Sequence, residues 1–168
     1  MKKLYILCTL VLLTLTAAAQ STDWKTKEDY LRDTAQVAQT ILWLEQHPFP
    51  EPFSEREEKA AYAFKWLEGA PYMVNIDATF LQGIVADKKF AYKDMMVPQF
   101  LFGKGLYLIQ HKGEQNEYEA NLRGVQSMVT LYKQIKAKDS QARNKLLEKM
   151  EKAADQQKLP EFVRSQTK

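Results

Sequence analysis

The strongest structural signal in this 168-residue sequence is an apolar stripe with helical spacing. The stripe consists of Tyr118, Leu122, Val125, Val129 and Tyr132. At 100° per residue these side chains fall within an arc of about 80°, which predicts an amphipathic helix packed on a core. No segment alternates apolar and polar residues, and no Asn-Gly or Asp-Gly hairpin signal occurs. The sequence therefore predicts an all-α fold, a single compact bundle of about six helices with no sheet.

The N-terminus has the pattern of a secretory signal peptide. Two lysines precede an apolar run over 4–15, and Ala17–Ala19 follows it. A basic start, a short apolar stretch and small residues at the exit favour export and cleavage. The run is shorter than the roughly 20 apolar residues that span a bilayer. We therefore predict that 1–19 is a signal peptide and that 20–168 is a single helical domain, exported to the periplasm or the extracellular space.

Cleavage at this site changes the charge and the cysteine content. The full chain carries 24 Lys+Arg and 21 Asp+Glu residues. Loss of Lys2 and Lys3 leaves 22 basic residues against 21 acidic ones, a balance that gives no reason to expect nucleic acid or an anionic membrane as partner. The single cysteine, Cys8, lies inside the apolar run, so we expect neither lipidation nor a disulfide. The alternative to cleavage is an uncleaved N-terminal anchor.

Helix-start and helix-stop signals place three helices in the first half of the mature chain. Their predicted bounds are 27–46, 55–69 and 72–86. The predicted apolar face of the first is Leu31, Ala35, Ala38 and Leu42, and that of the second is Ala60, Ala63, Phe64 and Leu67. Ser54 and Glu57 match a capping box at the start of the second helix, and Gly69 matches a left-handed stop at its end. Trp24, ahead of the first helix, is expected to be exposed.

The second half is predicted to hold three more helices. The fourth starts either at Pro98 or near Lys93 with a kink at Pro98, and it ends near His111. Its glycines either weaken it or let a neighbouring helix approach closely. Asn116 is predicted to cap the fifth helix, and Ser140 the sixth, which Leu159 and Pro160 end.

Two predicted helix ends share one pattern. Trp43–Phe49 and Trp66–Tyr72 both read Trp-Leu-Glu-x-x-Pro-aromatic, 23 residues apart. The pattern is typical of a helix stop in which Trp and Leu fill the core, Pro halts the helix and the aromatic residue folds back. Two copies are too few for a solenoid repeat.

Glu45 is the one candidate for chemistry. It lies near the apolar side of its helix, in a last turn where a carboxylate faces the negative end of the helix dipole. Paired with a Lys or Arg of another helix, or with backbone amides, Glu45 is structural; unpaired in a cleft, it could act as a general acid. We expect it to be paired. Glu68, in the second copy, has Lys65 three residues before it.

Other catalytic and metal-binding patterns are absent from the sequence. His47 and His111 are the only histidines, and neither a His-Glu-x-x-His nor a Glu-x-x-His motif occurs. There is no Gly-x-Ser-x-Gly elbow, and the segment 102–105 lacks the frame of a phosphate-binding loop. We therefore assign no catalytic residue, no cofactor site and no metal site.

Several of these features together resemble one group of proteins. The Ala19-Gln20 exit, the two Trp-Leu-Glu helix ends, the Leu101–Leu106 segment and the Leu122–Val125 segment are similar to those of small exported proteins of Bacteroidota, which are uncharacterised and all-helical. The resemblance covers most of the mature chain, but its motifs are packing features. It implies periplasmic export and an α-helical fold, and it implies no activity.

The predicted function is therefore non-catalytic. We expect a binding or interaction domain for another protein or an envelope component, without a cofactor or nucleic-acid partner and without a membrane span after cleavage. The alternative is a small cell-wall glycan hydrolase with Glu45 as general acid, although such enzymes normally use two carboxylates and the sequence offers no convincing second one. A third hypothesis is a helical scaffold that oligomerises through exposed aromatic residues.

Overall fold

Regular structure in this protein is helical wherever the computed structural model describes it, over residues 23–72, 74 and 79–166. The helices are α1 (Lys27–Arg32), α2 (Thr34–Gln46), α3 (Ser54–Gly69), α4 (Gln82–Val85), α5 (Lys93–Gln110), α6 (Glu117–Lys138), α7 (Lys145–Asp155) and α8 (Leu159–Gln166). A single 3₁₀ turn, Thr79–Leu81, precedes α4. These ranges contain no strand, so the predicted all-α bundle is confirmed. The predicted signal peptide lies outside the described residues.

Six of these helices have eight or more residues, but they are not the six that the sequence predicted. The predicted helix over 27–46 is broken at Asp33, whose carboxylate accepts a 2.7 Å hydrogen bond from the Trp24 indole. The prediction of a helix over 72–86 is wrong at its start, because Tyr72 lies in a bend and helical structure is described only from Thr79. The predicted sixth helix ends before 159, where α8 begins with a proline in its first turn.

Helix α5 separates two apolar clusters. Met96 and Phe100 face a cluster built with α4, α6, α7 and α8. Phe102 and Leu106 face a cluster built with α2 and α3, centred on Trp66. The interpretation in which α5 begins at Lys93 and contains Pro98 is confirmed. The bundle thus has α5 as the wall that its two halves share.

Helices α5 and α6 meet backbone to backbone. A methyl group added at Gly103 would lie 2.7 Å from the Cα of Gly124, and one added at Gly124 would lie 2.8 Å from the carbonyl oxygen of Phe100. Real side-chain carbons do not approach that closely, so no larger residue fits either position. The predicted close approach of a neighbouring helix is confirmed at Gly103, and α6 buries the stripe that the sequence predicted, with Tyr118 and Leu122 only partly buried.

The predicted apolar faces of the first two helices are only partly confirmed: Ala63 is buried and Ala38, Ala60 and Leu67 pack partly buried against the core, whereas other predicted positions are exposed. Leu31 and Leu42 are 39% and 45% exposed, and Phe64 of α3 is 44% exposed. The buried residues of α2 are Val37, Thr40, Ile41, Leu44 and Glu45, and those of α3 are Arg56, Tyr62, Ala63 and Trp66. Trp24 is also buried, contrary to the prediction, because it packs on the rings of Tyr30 and Tyr62.

Side-chain hydrogen bonds cap the first turns of α1, α6 and α7. Asn116 accepts from the Glu119 amide, which confirms the predicted cap of α6. The predicted capping box at Ser54 is wrong, because Ser54 is already helical and its helix has no side-chain cap. Ser140 is also wrong as a cap, since Asn144 accepts from the amides of the first turn of α7. A capping box that the sequence analysis did not identify, Thr26 with Asp29, starts α1.

Gly69 ends α3 for a different reason from the one predicted. The only glycine with a positive φ in the described ranges is Gly113, so Gly69 is not a left-handed stop. A Cβ at Gly69 would lie 1.8 Å from the hydroxyl oxygen of Tyr30. A larger residue at this position would displace the Tyr30 ring, which packs on the helix end.

Candidate functional site

Both Trp-Leu-Glu copies end a helix, as predicted, but they present different residues to the core. Leu44 and Trp66 are fully buried, whereas Trp43 and Leu67 are only partly buried. Tyr72 folds back onto Trp66, with ring centroids 6.1 Å apart. Phe49 instead contacts Tyr92, at 5.6 Å.

Glu45 is the centre of a buried polar cluster between α2, α5 and α6. Its Oε1 atom accepts from Arg123 Nη2 at 2.6 Å and from Ser127 Oγ at 2.7 Å. The amide of Gln99 donates to the same serine hydroxyl at 2.8 Å. The Glu45 side chain is 6% exposed and that of Arg123 is 18% exposed. The expectation that Glu45 pairs with a cation of another helix is therefore confirmed.

This cluster has the chemistry of a structural ion pair. A carboxylate that accepts from a guanidinium and a hydroxyl has its charge neutralised, whereas a general acid must carry the proton that it donates. Two amide oxygens nearby, Gln99 Oε1 and Asn121 Oδ1, are buried without a hydrogen-bond partner in the described structure. The geometry gives no support to glycan cleavage by Glu45.

Arg56 closes the end of α2 from the first turn of α3. Its Nη1 atom donates to the carbonyl oxygens of Leu44, at 2.7 Å, and His47, at 2.8 Å. These are end-of-helix carbonyls without an intrahelical donor, and a cation there also complements the helix dipole. Burial lowers the pKa of the guanidinium to about 10.

The two histidines repeat one local arrangement. His47 stacks on Trp43 with ring centroids 4.3 Å apart, and His111 stacks on Tyr107 at 4.1 Å. In each case Nδ1 lies within hydrogen-bond distance of the carbonyl oxygen four residues earlier. His47 follows the end of α2 as a loop residue and His111 lies at the end of α5, and the sequence predicted both placements. Among the described residues, no three His, Cys, Asp or Glu side chains are grouped so that they could hold a metal ion.

An apolar cleft opens between α3 and α5. Its volume is about 290 Å³, and its walls are formed by Phe64, Leu67, Glu68, Ala70, Tyr72, Val74 and Leu101. Phe64 lies at the rim, and Glu68 is the one charged residue among the described residues of the wall. The volume lies at the lower end of the range for ligand pockets and suits a large apolar side chain.

This cleft exists because α3 is apolar on two sides. Tyr62, Ala63 and Trp66 face the core, and Phe64 and Leu67 point roughly 100° away around the helix axis. The prediction that Phe64 and Leu67 both face the core is confirmed for Leu67, which packs partly buried against the Trp66 cluster, and is wrong for Phe64. The signal that could have corrected it is the number of apolar residues in α3, which exceeds what one helix face holds.

The described residues include no helix with the length and apolar character that crossing a membrane requires. Comparison with known proteins finds no matching family model, no matching curated protein and no matching solved structure. A function for this chain therefore has to be proposed from its own surfaces.

Proposed function

We propose that the mature chain is exported and acts without catalysis, by binding an apolar side chain of a partner protein in the cleft between α3 and α5. The observation that carries this proposal is Phe64, a phenylalanine 44% exposed at the rim of a 290 Å³ apolar cleft. Exposed large apolar side chains next to a concave apolar surface favour a protein-binding role.

The charges around the cleft indicate the chemistry of the partner. Glu68 lines the wall, and none of the wall residues that the structure describes is basic. Glu68 has no ion-pair partner among the described residues. A segment with an aromatic or aliphatic anchor followed by a lysine or arginine would fill the cleft and pair with this carboxylate.

Selection of a displayed random-peptide library on the purified protein tests the proposal. We expect enrichment of peptides with an apolar anchor next to a basic residue. Binding of a selected peptide should weaken by at least about ten-fold in Phe64→Ser, as for an interface hot spot. Phe53→Ser is the matched control, because Phe53, which directly precedes α3, is 47% exposed but does not line the cleft.

Two results would overturn this proposal. One is a selected peptide that binds Phe64→Ser and Phe53→Ser equally well. The other is turnover of isolated peptidoglycan that Glu45→Gln abolishes without loss of stability, which would favour the hydrolase.

Export has its own test. Mass spectrometry of the protein from the periplasm or the medium should find Gln20, or a residue close to it, at the N-terminus. A mature species that retains Lys2 would contradict cleavage.

A further inference from the structure

Among the described residues, ion pairs engage the acidic residues of α7 but not its lysines. All three acidic residues of the helix are neutralised: Glu148 by Arg143 at 2.8 Å, Glu151 by Lys136 at 2.7 Å and Asp155 by Lys133 at 2.5 Å. Two of the three partners belong to α6. The acidic side of α7 is therefore occupied by its neighbours.

The basic side of α7 is left open. Lys145, Lys149 and Lys152 are exposed, and among the described residues none of them is ion-paired with a carboxylate. At 100° per residue they share an arc of about 60°, roughly 90° around the axis from the acidic residues. At 1.5 Å per residue they extend over about 10 Å of the helix.

Two shallow grooves flank this row of lysines. One, of about 710 Å³, lies against the loop after α4, and the other, of about 410 Å³, lies against the start of α8. Lys149 lines both grooves. The lysines of the two walls are Lys89, Lys145, Lys149, Lys152 and Lys158, and the carboxylates are Asp87 and Glu161. Asp87 is already bonded to the Lys89 amide and the Asn144 side chain.

We propose that this lysine row, with the grooves on either side, binds a linear acidic polysaccharide. The positive charge is local to this surface, because the mature chain as a whole is nearly neutral. Lysines at intervals of about 5–6 Å along a helix match a chain that carries repeated negative charges, and they bind such charges without the fixed fork of arginine.

The lining of the grooves favours a sugar chain over a bilayer. Leu146, Ala153 and Phe162 form an apolar floor that is only partly exposed, on which the apolar faces of sugar rings can pack. None of the exposed large apolar residues in the described ranges lines either groove, so the surface has nothing to insert among lipid chains. It also lacks the arginines and exposed aromatic rings with which proteins bind single-stranded nucleic acid.

Fluorescence anisotropy with labelled polygalacturonate oligosaccharides at low salt tests the proposal. We expect saturable binding that weakens as salt is added. Lys149→Gln combined with Lys152→Gln should weaken it by at least about five-fold, since charge attraction dominates such contacts. Lys27→Gln combined with Lys65→Gln is the matched control, because it removes the same charge from two other helices, and it should change binding by less than about two-fold.

Three results would overturn the proposal. They are the absence of binding at low salt, an equal loss in the two double variants, and tighter binding to phosphatidylglycerol-containing vesicles or to oligothymidylate than to polygalacturonate. Circular dichroism of both variants establishes that they are folded. Lys145→Gln, at the other end of the row, is an independent variant of the same surface and should also weaken binding.

Discussion

The helix end at Trp43–Phe49 and the helix end at Trp66–Tyr72 share one sequence pattern, but they bury different residues of it. In the first, Leu44 and Glu45 are buried and the tryptophan is partly exposed. In the second, Trp66 is buried and the glutamate is exposed. The face that meets the core is shifted by one residue, or about 100° around the helix. The pattern specifies a helix stop, and the neighbouring helices choose which of its side chains enter the core.

The ends of the two helices are also closed differently. Arg56 binds the last carbonyls of α2. At the end of α3 the Tyr30 ring packs on Gly69, and the Tyr30 carbonyl accepts from the Trp66 indole at 3.1 Å. The first end is fixed mainly by charge and the second mainly by aromatic packing. Substitutions at matching positions of the two ends can therefore test this difference.

The tryptophans should show the largest difference. Trp66→Ala is expected to lower the free energy of unfolding by about 3–5 kcal/mol, because it empties a fully buried site. Trp43→Ala should cost only about 1 kcal/mol, since Trp43 is partly exposed and stacks on His47. Urea denaturation measures both values. Equal losses would mean that the two ends are packed alike.

The glutamates should differ in the same assay. Glu45→Gln is expected to cost about 1–3 kcal/mol, because it leaves the partly buried Arg123 guanidinium without its charge partner inside a buried polar cluster. Glu68→Gln should stay within about 0.5 kcal/mol. A Glu45→Gln variant as stable as the parent would remove the argument that Glu45 is structural.

The helix starts sharpen the comparison further. Thr26→Ala removes a side chain that accepts from the Asp29 amide, and it should cost about 0.5–2 kcal/mol. Ser54→Ala should change stability by less than about 0.5 kcal/mol, because Ser54 makes no cap bond. A larger loss for Ser54→Ala would restore the capping box that the sequence predicted.

The smallest effect concerns pH. The amides of Thr26 and Lys25 donate to the Asp29 carboxylate and hold its pKa well below the usual range. A carboxyl group whose pKa is lowered by folding stabilises the folded state above its unfolded pKa, near pH 4, and this contribution is lost as the pH falls through the folded pKa. Carbon-detected NMR should find Asp29 still ionised when ordinary aspartates have begun to titrate. Titration near pH 4 would contradict the capping box.

The fold class could be predicted from local patterns, and so could several individual features. The stripe on α6, the Asn116 cap and the pairing of Glu45 each depend on spacing or on the cost of an unpaired buried charge. The buried face of α2 could not be predicted and that of α3 only in part, because both helices have apolar residues on more than one side and tertiary packing selects among them. The burial of Trp24 could not be predicted for a similar reason, since its partners Tyr62 and Asp33 become its neighbours only after folding.

The candidate surfaces were less predictable than the helices. Phe64 and Leu67 were identified as apolar, but only the orientation of α3 turns them into the wall of a cleft. The lysines of α7 alternate with acids in the sequence, and an alternating row is ordinarily a neutral solvated face. Basic residues of α6 and of the loop before α7 pair with the acidic residues of α7 and leave its lysines unpaired within the described ranges. The sequence of α7 alone does not predict this difference.

The glycine crossing of α5 and α6 has a consequence for how the protein opens. Around Gly103 and Gly124 the amides are shielded by a neighbouring backbone and not by side chains that could swing aside. Exchange of their hydrogens with solvent requires the two helices to separate, and the apolar cluster that α5 and α6 share then loses a wall. The slowest exchange should therefore be found at this crossing and should report the unfolding of the whole bundle, while exchange in α1 and α8 reports only local opening.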